Sequence, residues 1–374
     1  MKKLVTGIVG CGMISEVYIR NIQTMFGHLL EIRSCCAKHM ESAEKRAAEF
    51  GIKACTFEEM LADSEIELVV ILTPASTHYE LIKQALMAGK HVYTEKTLSA
   101  NLKQAGELVL LAEEKGLYLG AAPDTFLGAS LRKAREIVDS GKLGKITSFH
   151  ISYNHDINYC LSFARFLCLE GGGICYDMGV YYLTALINLL GPVEKTAAMV
   201  ANHQTERPIT DPESEAFGEI LHYENESQVA AIMRTQSGVS GTFAMNGDTI
   251  QQEQPALVLY GTKGMLVMSD PNYFGGTIRF IPNFYGDTED QEIETICCDE
   301  DAFADNSRGL GVADMAIAIR EKKPYRASGE LAYHVLDVIE QMMESSRTGE
   351  FRTVHSKCSR PEALGESEIS RLCN

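Results

Sequence analysis

The sequence is poor in positive charge. Lysine and arginine together number 34, against 51 aspartates and glutamates, and the formal net charge is -17. Nucleic acids and anionic membrane surfaces attract patches of Lys and Arg and repel acidic surfaces. The charge balance therefore argues against either of them as a partner, and any phosphate group that the protein binds must be held by local geometry.

Long apolar runs and cysteine motifs are also missing. No run reaches about 18 apolar residues, so we expect no transmembrane helix. The eleven cysteines include adjacent pairs at 35–36 and 297–298 but no Cys-x-x-Cys, which argues against structural zinc, and we predict no metal site. The basic and apolar start resembles a secretory signal peptide but lacks a small-x-small cleavage site. Scattered cysteines are typical of buried thiols in a reducing compartment, so we expect a cytoplasmic protein.

The length predicts two domains, because a single hydrophobic core seldom supports 374 residues. In residues 1–122, short apolar runs alternate with amphipathic helical stretches, which is the pattern of βαβ units around a parallel sheet. The predicted strands are 4–9, 31–36, 68–72, 91–94 and 117–121. This part is predicted to be a doubly wound α/β domain of the Rossmann type.

Residues 123–374 show a different pattern. A helical stretch leads into a predicted strand at 146–153, and a further helix is predicted over 178–190, ending at Gly191-Pro192. Consecutive alternating runs follow, the last a hairpin around 261–264, and two helical stretches come after them. We predict a second α/β domain with a mainly antiparallel sheet, and a polar, mobile tail beyond residue 354.

A glycine motif follows the first predicted strand. Gly10-x-Gly12-x-x-Ser15 opens the first helix. Gly10 permits a tight turn, and Gly12 lets the backbone approach a pyrophosphate, whose charge the first helical amides, those of Met13 and Ile14, would meet. Ser15 replaces a third glycine and is still small enough for close packing of helix on strand. Glycine turns also occur for steric reasons alone, but this position in a βαβ series favours dinucleotide binding.

The choice between NAD and NADP is normally made at the end of the second strand. An Asp or Glu there accepts hydrogen bonds from the ribose of NAD, but this sequence has Ala37 and Lys38. This position therefore has no carboxylate to repel the 2′-phosphate of NADP, and the cationic Lys38 lies beside it. Lys38 is equally well explained as a solvated loop residue, so both cofactors, NAD and NADP, stay open.

Several separated motifs resemble those of the Gfo/Idh/MocA family of oxidoreductases. They are "TPASTHYELIKQ", "AGKHVYTEK", "GGGICYDMGVYY" and "SRGLGVADMAIAIREKKPYRASGELAYHVLDVIEQM", in the family's order and spacing. The resemblance covers about residues 4–350. It implies a Rossmann domain followed by an α/β domain with an open sheet, through which a homo-oligomer, a dimer or tetramer, assembles.

The resemblance also implies roles for individual residues. It places Lys96 beside the nicotinamide and the substrate hydroxyl, and Glu95 by the nicotinamide ribose. Thr73, Pro74 and His78 would line the dinucleotide cleft.

The family's D-x-G-x-H motif falls on residues 177–181. Tyr181 replaces the usual histidine, which changes the acid/base group, as it does in glucose-fructose oxidoreductase. Thr97 replaces the proline that follows the family's lysine, which removes a backbone restraint. Arg165 is close to the position of a family arginine that contacts cofactor or substrate, although its register differs by one residue.

Oxidation of a secondary alcohol needs a hydride acceptor, a base for the hydroxyl proton and donors that hold the oxygen. We predict that Lys96 donates to that oxygen and stabilises the phenolate of Tyr181, because an ordinary tyrosine pKa of about 10 is too high for a base at neutral pH. Asp177, four residues before Tyr181 and on nearly the same helix face, would accept hydrogen bonds from sugar hydroxyls. Asp177 could instead be a helix N-cap, and Tyr182 could take the place of Tyr181.

Two further features lie close to these residues along the chain. His155, in "SYNHDINY", could orient substrate or relay a proton, or be simply solvated. The glycines at 171–173 would let the backbone pass close to a ligand, or form a plain hinge.

Three functions compete. The first is an NAD(P)-dependent dehydrogenase acting on a secondary hydroxyl of a sugar, glycoside or cyclitol. The second is an NAD-dependent glycosidase that works through transient oxidation at C3, which needs an additional base for the C2 proton. The third is a dinucleotide-binding regulator without catalysis on the same fold. The presence of Lys96 and the absence of the motif histidine favour the dehydrogenase.

Overall fold

The computed structural model describes residues 2–250, 256–283 and 292–374. The chain divides into two compact units. The first comprises Met1–Leu127, Asn306–Tyr333 and Pro361–Asn374, and the second comprises Gly128–Asp305 and His334–Arg360.

The first unit is built on a six-stranded sheet whose neighbouring strands are all parallel. Its strands are β1 (Leu4–Val9), β2 (Leu30–Cys36), β3 (Lys53–Ala54), β4 (Leu68–Ile71), β5 (His91–Thr94) and β6 (Leu119–Ala121), and its helices include α1 (Met13–Thr24), α2 (Met40–Phe50), α3 (Phe57–Ala62), α4 (His78–Met87) and α5 (Leu102–Lys115). The order β3-β2-β1-β4-β5-β6 is that of a doubly wound sheet, which starts in the middle and grows toward both edges. The predicted Rossmann-type domain is confirmed, and the prediction missed the two-residue strand β3.

Local sequence explains where these elements begin and end. All four residues of β4 are buried, as expected for a parallel strand covered on both faces. α3 starts with a capping box, in which the side chains and backbone amides of Thr56 and Glu59 bond reciprocally. α5 starts at Asn101, whose side chain accepts from two amides of the first turn, and ends at Gly116 with φ of 63°.

The second unit contains a nine-stranded mixed sheet. The strands of this unit, in chain order, are β7 (Ile146–Asn154), β8 (Val193–Ala201), β9 (Glu206–Pro208), β10 (Ile220–His222), β11 (Gln228–Thr235), β12 (Ser240–Asn246), β13 (Leu257–Gly261), β14 (Gly264–Met268), β15 (Thr277–Pro282), β16 (Glu294–Cys297) and β17 (Arg352–Thr353). The helices of the unit include α6 (Ala129–Asp139), α7 (Ile157–Cys160) and α8 (Val180–Leu190). The order is β16-β15-β14-β13-β7-β12-β11-β8-β17, and β9 pairs separately with β10. Among the described strands of the nine-stranded sheet, only the β7–β12 pair is parallel, so the predicted mainly antiparallel sheet is confirmed.

The two faces of this sheet differ. Along β11, Val229, Ala231 and Met233 are buried, whereas the alternating Ile232 is 49% exposed. α8 is buried over all of its eleven residues. The helix predicted over 178–190 starts earlier than expected, with a π-helical turn over Cys175–Gly179 that leads into α8.

The last helices are α9 (Leu310–Glu321), α10 (Gly329–Thr348) and α11 (Glu366–Cys373). α9 and α11 belong to the first unit, which differs from a single division of the chain at residue 122. The Arg320 guanidinium shows why, because it pairs with Glu67 at 2.6 and 2.7 Å and donates to the carbonyls of Lys2 and Lys3. The tail predicted to be mobile contains α11, in which Leu372 is completely buried.

Among the residues described, no helix combines the length and the hydrophobicity needed to cross a lipid bilayer.

Candidate active site

The glycine turn between β1 and α1 uses its two glycines differently. Gly10 has φ of 99°, and a Cβ on it would lie 2.9 Å from the carbonyl group of Leu72, so both conformation and space require glycine. Apart from Gly12 and its neighbours along the chain, no atom of the described residues lies within 4 Å of the place where a Cβ on Gly12 would be. The described residues therefore leave the space beside Gly12 unfilled.

This turn fits a dinucleotide. α1 begins after Gly12 without a side-chain cap, and Ser15, fully buried, donates from Oγ to the Gly12 carbonyl at 2.6 Å. The amides of Met13 and Ile14 stand in the first turn, where no earlier helical carbonyl is available to them. Together with the helix dipole, these amides would hold a pyrophosphate in the room beside Gly12.

Basic groups gather at the end of β2. Ala37 is half-buried and Lys38 is exposed, as the sequence suggests. Sequence reasoning missed Arg46 of α2, whose guanidinium donates to the Gly12 carbonyl at 3.2 Å and pairs with Glu49 at 2.8 Å. Arg46 lies ten residues after the end of β2, on a helix. An arginine in such a place is common in any exposed helix, so the sequence alone does not mark it as functional.

His78 supports two loops of the first unit, and its expected place in the lining of the dinucleotide cleft stays a prediction. The side chain is completely buried, and its Nδ1 and Nε2 lie 2.6 Å and 2.8 Å from the carbonyl oxygens of Thr97 and Thr73. Burial lowers the pKa of His78, while the two carbonyls act in the opposite direction. The ring therefore braces the segment after β4, which holds Thr73 and Pro74, against the segment after β5.

Glu95 and Lys96 directly follow β5. Glu95 is 8% exposed and accepts hydrogen bonds from the Tyr18 hydroxyl at 2.7 Å and from the Lys96 amide at 3.2 Å. Burial, and then the charge of Glu95, raise the pKa of Tyr18 well above its usual value, so the phenol stays protonated. Lys96 is half-buried, and the peptide bond between Lys96 and Thr97 is cis.

Sequence reasoning also missed Asp124. This residue is 1% exposed, and its Oδ2 accepts the amides of Gly309 and Gly311 at 3.0 and 2.9 Å, at the start of α9. Burial raises the pKa of Asp124 to about 6, although the two amides act to lower it. No motif identifies such a residue, because its partners lie 185 and 187 positions away.

In the second unit, Glu226 organises the start of the helical segment that carries Asp177. The Glu226 carboxylate accepts a hydrogen bond from the Cys175 amide at 2.9 Å, and its backbone carbonyl accepts one from the Ile174 amide at 3.2 Å. A negative charge at a helix start is favourable, because the first amides have no helical partner. Glu226 is thus the cap of this segment, which excludes Asp177 as its N-cap.

The glycine triplet before Asp177 makes room for this arrangement. A Cβ on Gly173 would lie 1.9 Å from the Glu226 carboxylate, and a Cβ on Gly172 would lie 2.5 Å from the Leu167 carbonyl oxygen. Gly171 has φ of 76°. The triplet is therefore explained by packing and conformation in the protein itself, without a ligand.

The two motif residues differ in accessibility. Asp177 is half-buried, and its amide donates to the Gly173 carbonyl at 2.8 Å. Tyr181, one turn later, is 7% exposed. The predicted phenolate of Tyr181 stays a prediction.

A polar cluster lies around His155. Its Nδ1 is 3.1 Å from the Tyr153 hydroxyl, and the two rings stack with centroids 5.7 Å apart. The Tyr153 ring also packs against Tyr182 at 5.5 Å, and the Tyr182 hydroxyl donates to Asp270 Oδ1 at 2.9 Å. Burial lowers the pKa of His155, against the opposing charges of Asp177, Asp156 and Asp270. His155 is therefore predominantly a neutral imidazole at neutral pH.

Two of these cluster residues, Tyr153 and Asp270, were not assigned a role from the sequence, whereas Tyr182 was an alternative to Tyr181. Burial raises the pKa of Tyr182, so its hydroxyl remains a donor. No sequence motif identifies Asp270, because its partner Tyr182 is 88 positions away along the chain.

Arg165 stands apart from these groups. Its guanidinium is exposed and pairs with both carboxylate oxygens of Glu219, one of them at 2.9 Å. The predicted contact of Arg165 with cofactor stays a prediction.

Glu226 should make stability depend on pH. Burial raises its pKa to about 7, from an ordinary 4.5. For a raised pKa, the contribution to the free energy of unfolding is fully present below the unfolded-state value and is lost as pH rises through about 7. Glu226→Gln should remove this loss, which is on the order of 3 kcal/mol. Thermal unfolding is measured at about pH 5 and about pH 8. The difference in Tm between Glu226→Gln and the wild type should move in favour of the variant at the higher pH. Glu215→Gln, at an exposed position, should show no such change. Parallel profiles for Glu226→Gln and the wild type would contradict this assignment.

Two family models match the sequence. A model of the oxidoreductase family with a NAD-binding Rossmann fold matches residues 4–122, and a model of the GFO/IDH/MocA C-terminal domain matches residues 131–267. The first match supports the prediction of NAD or NADP as cofactor.

Named relatives cover much of the chain. scyllo-Inositol 2-dehydrogenase (NADP(+)) IolW of Bacillus subtilis is 27% identical over 316 residues, which are 79% of this chain and 81% of that protein. D-xylose 1-dehydrogenase (NADP(+)) of Hypocrea jecorina is 28% identical over 293 residues, 71% of this chain and 72% of that protein. Uncharacterised oxidoreductases of Schizosaccharomyces pombe reach 30% and 31% identity, but the chain spans only about three fifths of their length, 61% in each case.

Solved structures share the fold at lower identity. An NAD binding oxidoreductase from Klebsiella pneumoniae superposes with a TM-score of 0.81 at 21% identity, over 95% of this chain and all of that chain. Levoglucosan dehydrogenase in complex with NADH gives a TM-score of 0.80 at 17% identity, over the same shares. Since the two domain models together match more than half of the sequence, the chain belongs to the Gfo/Idh/MocA family of oxidoreductases.

Proposed function

We propose that the protein is an NAD(P)-dependent dehydrogenase that oxidises a secondary hydroxyl of a sugar, glycoside or cyclitol. The observation that carries the proposal is the cluster of half-buried acceptors in the second unit, formed by His155, Asp177 and Asp270. Carboxylate and imidazole acceptors suit the hydroxyl donors of a polyol. Among the relatives, IolW is named as an inositol dehydrogenase and the Hypocrea jecorina enzyme as a xylose dehydrogenase.

In this proposal, each group has a separate role in the oxidation of the alcohol. A bound nicotinamide supplies the hydride acceptor. Lys96 donates a hydrogen bond to the reacting oxygen, which stabilises negative charge as the O–H proton leaves. Asp177 accepts hydrogen bonds from other hydroxyls and orients the substrate.

We propose that His155, rather than Tyr181, is the base that takes the proton of the substrate hydroxyl. A neutral imidazole can take a proton at neutral pH, and burial holds the pKa of His155 below its usual value. The second ring nitrogen, Nε2, has no hydrogen-bond partner among the described residues, whereas Nδ1 faces Tyr153. A phenol, by contrast, must lose its own proton before it can take one from a substrate.

A dehydrogenase assay with matched variants tests these roles. Sugars, cyclitols and glycosides are screened with NAD and NADP by the absorbance of the reduced nicotinamide. We expect Lys96→Ala and His155→Asn each to lower kcat/KM on the best substrate by at least about a hundredfold, and Tyr181→Phe by less than about tenfold. The acid limb of the pH profile should lie below the ordinary range of histidine and disappear in His155→Asn.

The control for this assay is Lys103→Ala, an exposed lysine of α5. A larger loss of kcat/KM in Tyr181→Phe than in His155→Asn would indicate that Tyr181, and not His155, takes the proton. Release of nitrophenol from a nitrophenyl glycoside without net NADH would favour the glycosidase. Nucleotide binding with no turnover of any substrate would favour the regulator.

We infer that NADP binds more tightly than NAD. Ala37 leaves no carboxylate directly after β2, and Lys38 and Arg46 supply positive charge there. A 2′-phosphate would gain charge-assisted hydrogen bonds from these groups, which a ribose hydroxyl does not need.

Titration of each nucleotide tests this preference. We expect Lys38→Ala to weaken NADP binding about tenfold and to leave NAD binding within about twofold. Lys45→Ala, an exposed lysine of α2, is the matched control. Tighter binding of NAD by the wild type, or an equal loss for both nucleotides in Lys38→Ala, would overturn the inference.

We also propose that two or more copies associate through the exposed face of the nine-stranded sheet. Met199 of β8, Ile232 of β11 and Tyr260 of β13 are 81%, 49% and 39% exposed. Apolar side chains on a sheet face are typical of an interface between copies.

Light scattering after size-exclusion chromatography tests the association. The wild type should run as a dimer or tetramer, and Ile232→Glu should shift it toward the monomer because a buried charge in the interface is unfavourable. Leu110→Glu, at a 60% exposed position of α5, should leave the mass unchanged. A monomeric wild type would rule out the interface.

A further inference from the structure

His155 is fixed through its backbone to the end of β12 and the residues after it. Its amide donates to the Asn246 carbonyl at 2.9 Å, and its carbonyl accepts a hydrogen bond from the Thr249 amide at 3.4 Å. The Ile157 amide donates to the Gly247 carbonyl at 2.9 Å. Both backbone groups of His155 are thus bonded to this stretch of chain, so the place of the imidazole depends on where the stretch lies.

Asp248 anchors the same stretch of chain. Its Oδ1 accepts a hydrogen bond from the Arg207 guanidinium at 2.7 Å, and its Oδ2 accepts one from the Ser227 hydroxyl at 2.5 Å. Arg207 and Ser227 are completely buried, and the Asp248 side chain is 17% exposed. Water screens the attraction within such a pair only weakly, and removal of the carboxylate would leave the buried guanidinium without its charged partner.

The Arg207 guanidinium also holds the chain just after His155. Its Nη1 donates to Asn158 Oδ1 in α7 at 3.1 Å, and the Asn158 carbonyl accepts a hydrogen bond from the Thr210 amide at 3.2 Å. The guanidinium carbon lies 4.4 Å from the centroid of the Tyr223 ring, a distance at which cation and ring attract each other. One arginine therefore joins the two stretches of chain that fix His155, which requires the several donors of a planar fork.

We propose that Arg207 is a positioning residue, which acts through Asp248 and Asn158 to hold the His155 imidazole where it can take the proton of the substrate hydroxyl. The proposal rests on the dehydrogenase assignment and on the role given there to His155. A general base must lie within hydrogen-bond reach of the proton that it removes, and a small displacement lowers the rate of the chemical step steeply. Loss of Arg207 therefore acts on kcat more than on KM.

Hydrogen exchange tests the anchor and needs no ligand. Arg207→Lys keeps the positive charge but loses the fork, so it should raise the exchange rate of the peptide segment 155–160 by about tenfold, as measured by mass spectrometry. Asp248→Asn keeps the side-chain volume and removes the charge. It should change the exchange in the same direction, and it tests the anchor even where Arg207→Lys fails to fold.

Kinetics in two backgrounds test the step from the anchor to the base. With the best substrate of the dehydrogenase screen, Arg207→Lys should lower kcat about tenfold and change KM by less than about twofold. In the His155→Asn protein, the same substitution should lower kcat by less than about twofold, because the base whose position it changes is already absent. A merely structural role of Arg207 would give the same loss in both backgrounds.

Arg234→Lys is the matched control. Arg234 pairs with both carboxylate oxygens of Glu194 at 2.8 Å, and it lies in β11 opposite Ser240, whereas Asn246 is at the other end of β12. This variant should change neither the exchange of segment 155–160 nor kcat.

The remaining outcomes separate this proposal from the dehydrogenase assignment. Unchanged exchange in both Arg207→Lys and Asp248→Asn would overturn the anchor, whatever the activity. An active wild type with an unchanged kcat in Arg207→Lys, or with an equal loss in both backgrounds, keeps the dehydrogenase and overturns the positioning of His155. A wild type that turns over no substrate overturns the dehydrogenase and with it the catalytic part of this proposal, and faster exchange in the two variants would then support the anchor alone.

Discussion

The hydrogen bonds that Glu226 accepts from the amides of Ile174 and Cys175, before α8, are the constraint on which the polar cluster of the second unit depends. They satisfy amides that the helix cannot satisfy itself, and they bring a carboxylate against the backbone at Gly173. Any side chain at that glycine would displace the carboxylate. Because Glu226 takes the capping role, Asp177 is not the N-cap of this segment, and its half-buried side chain lies one turn before Tyr181.

Partly and fully buried acids recur in both units, and backbone amides hold each of them. Asp124 accepts two amides at the start of α9, Glu226 accepts two before α8, and Asp270 accepts the Asn272 amide. Burial raises the pKa of all three, while the amides oppose that change. The balance between desolvation and amide hydrogen bonds therefore sets the protonation state of each group.

The predicted and observed folds agree where the hydrophobic pattern is strong and local. The parallel strands of the first unit and the hairpin of β13 and β14 follow from short apolar runs with turn residues between them. The two-residue β3 is too short to show a pattern. The place of α9 and α11 in the first unit depends on contacts such as Arg320 with Glu67, 253 positions apart, which no local period can reveal.

The sequence by itself determined the doubly wound pattern, the glycine turn at Gly10 and Gly12, and the motif positions of Lys96 and Asp177, because each is encoded by neighbouring residues. Only the tertiary structure decided that His78 braces two loops, that Glu226 and not Asp177 is the cap, and that Asp270 joins the cluster around His155. Hydrogen-bond partners and protonation states depend on burial and on groups far away along the chain. Both are therefore properties of the folded protein that no stretch of sequence contains.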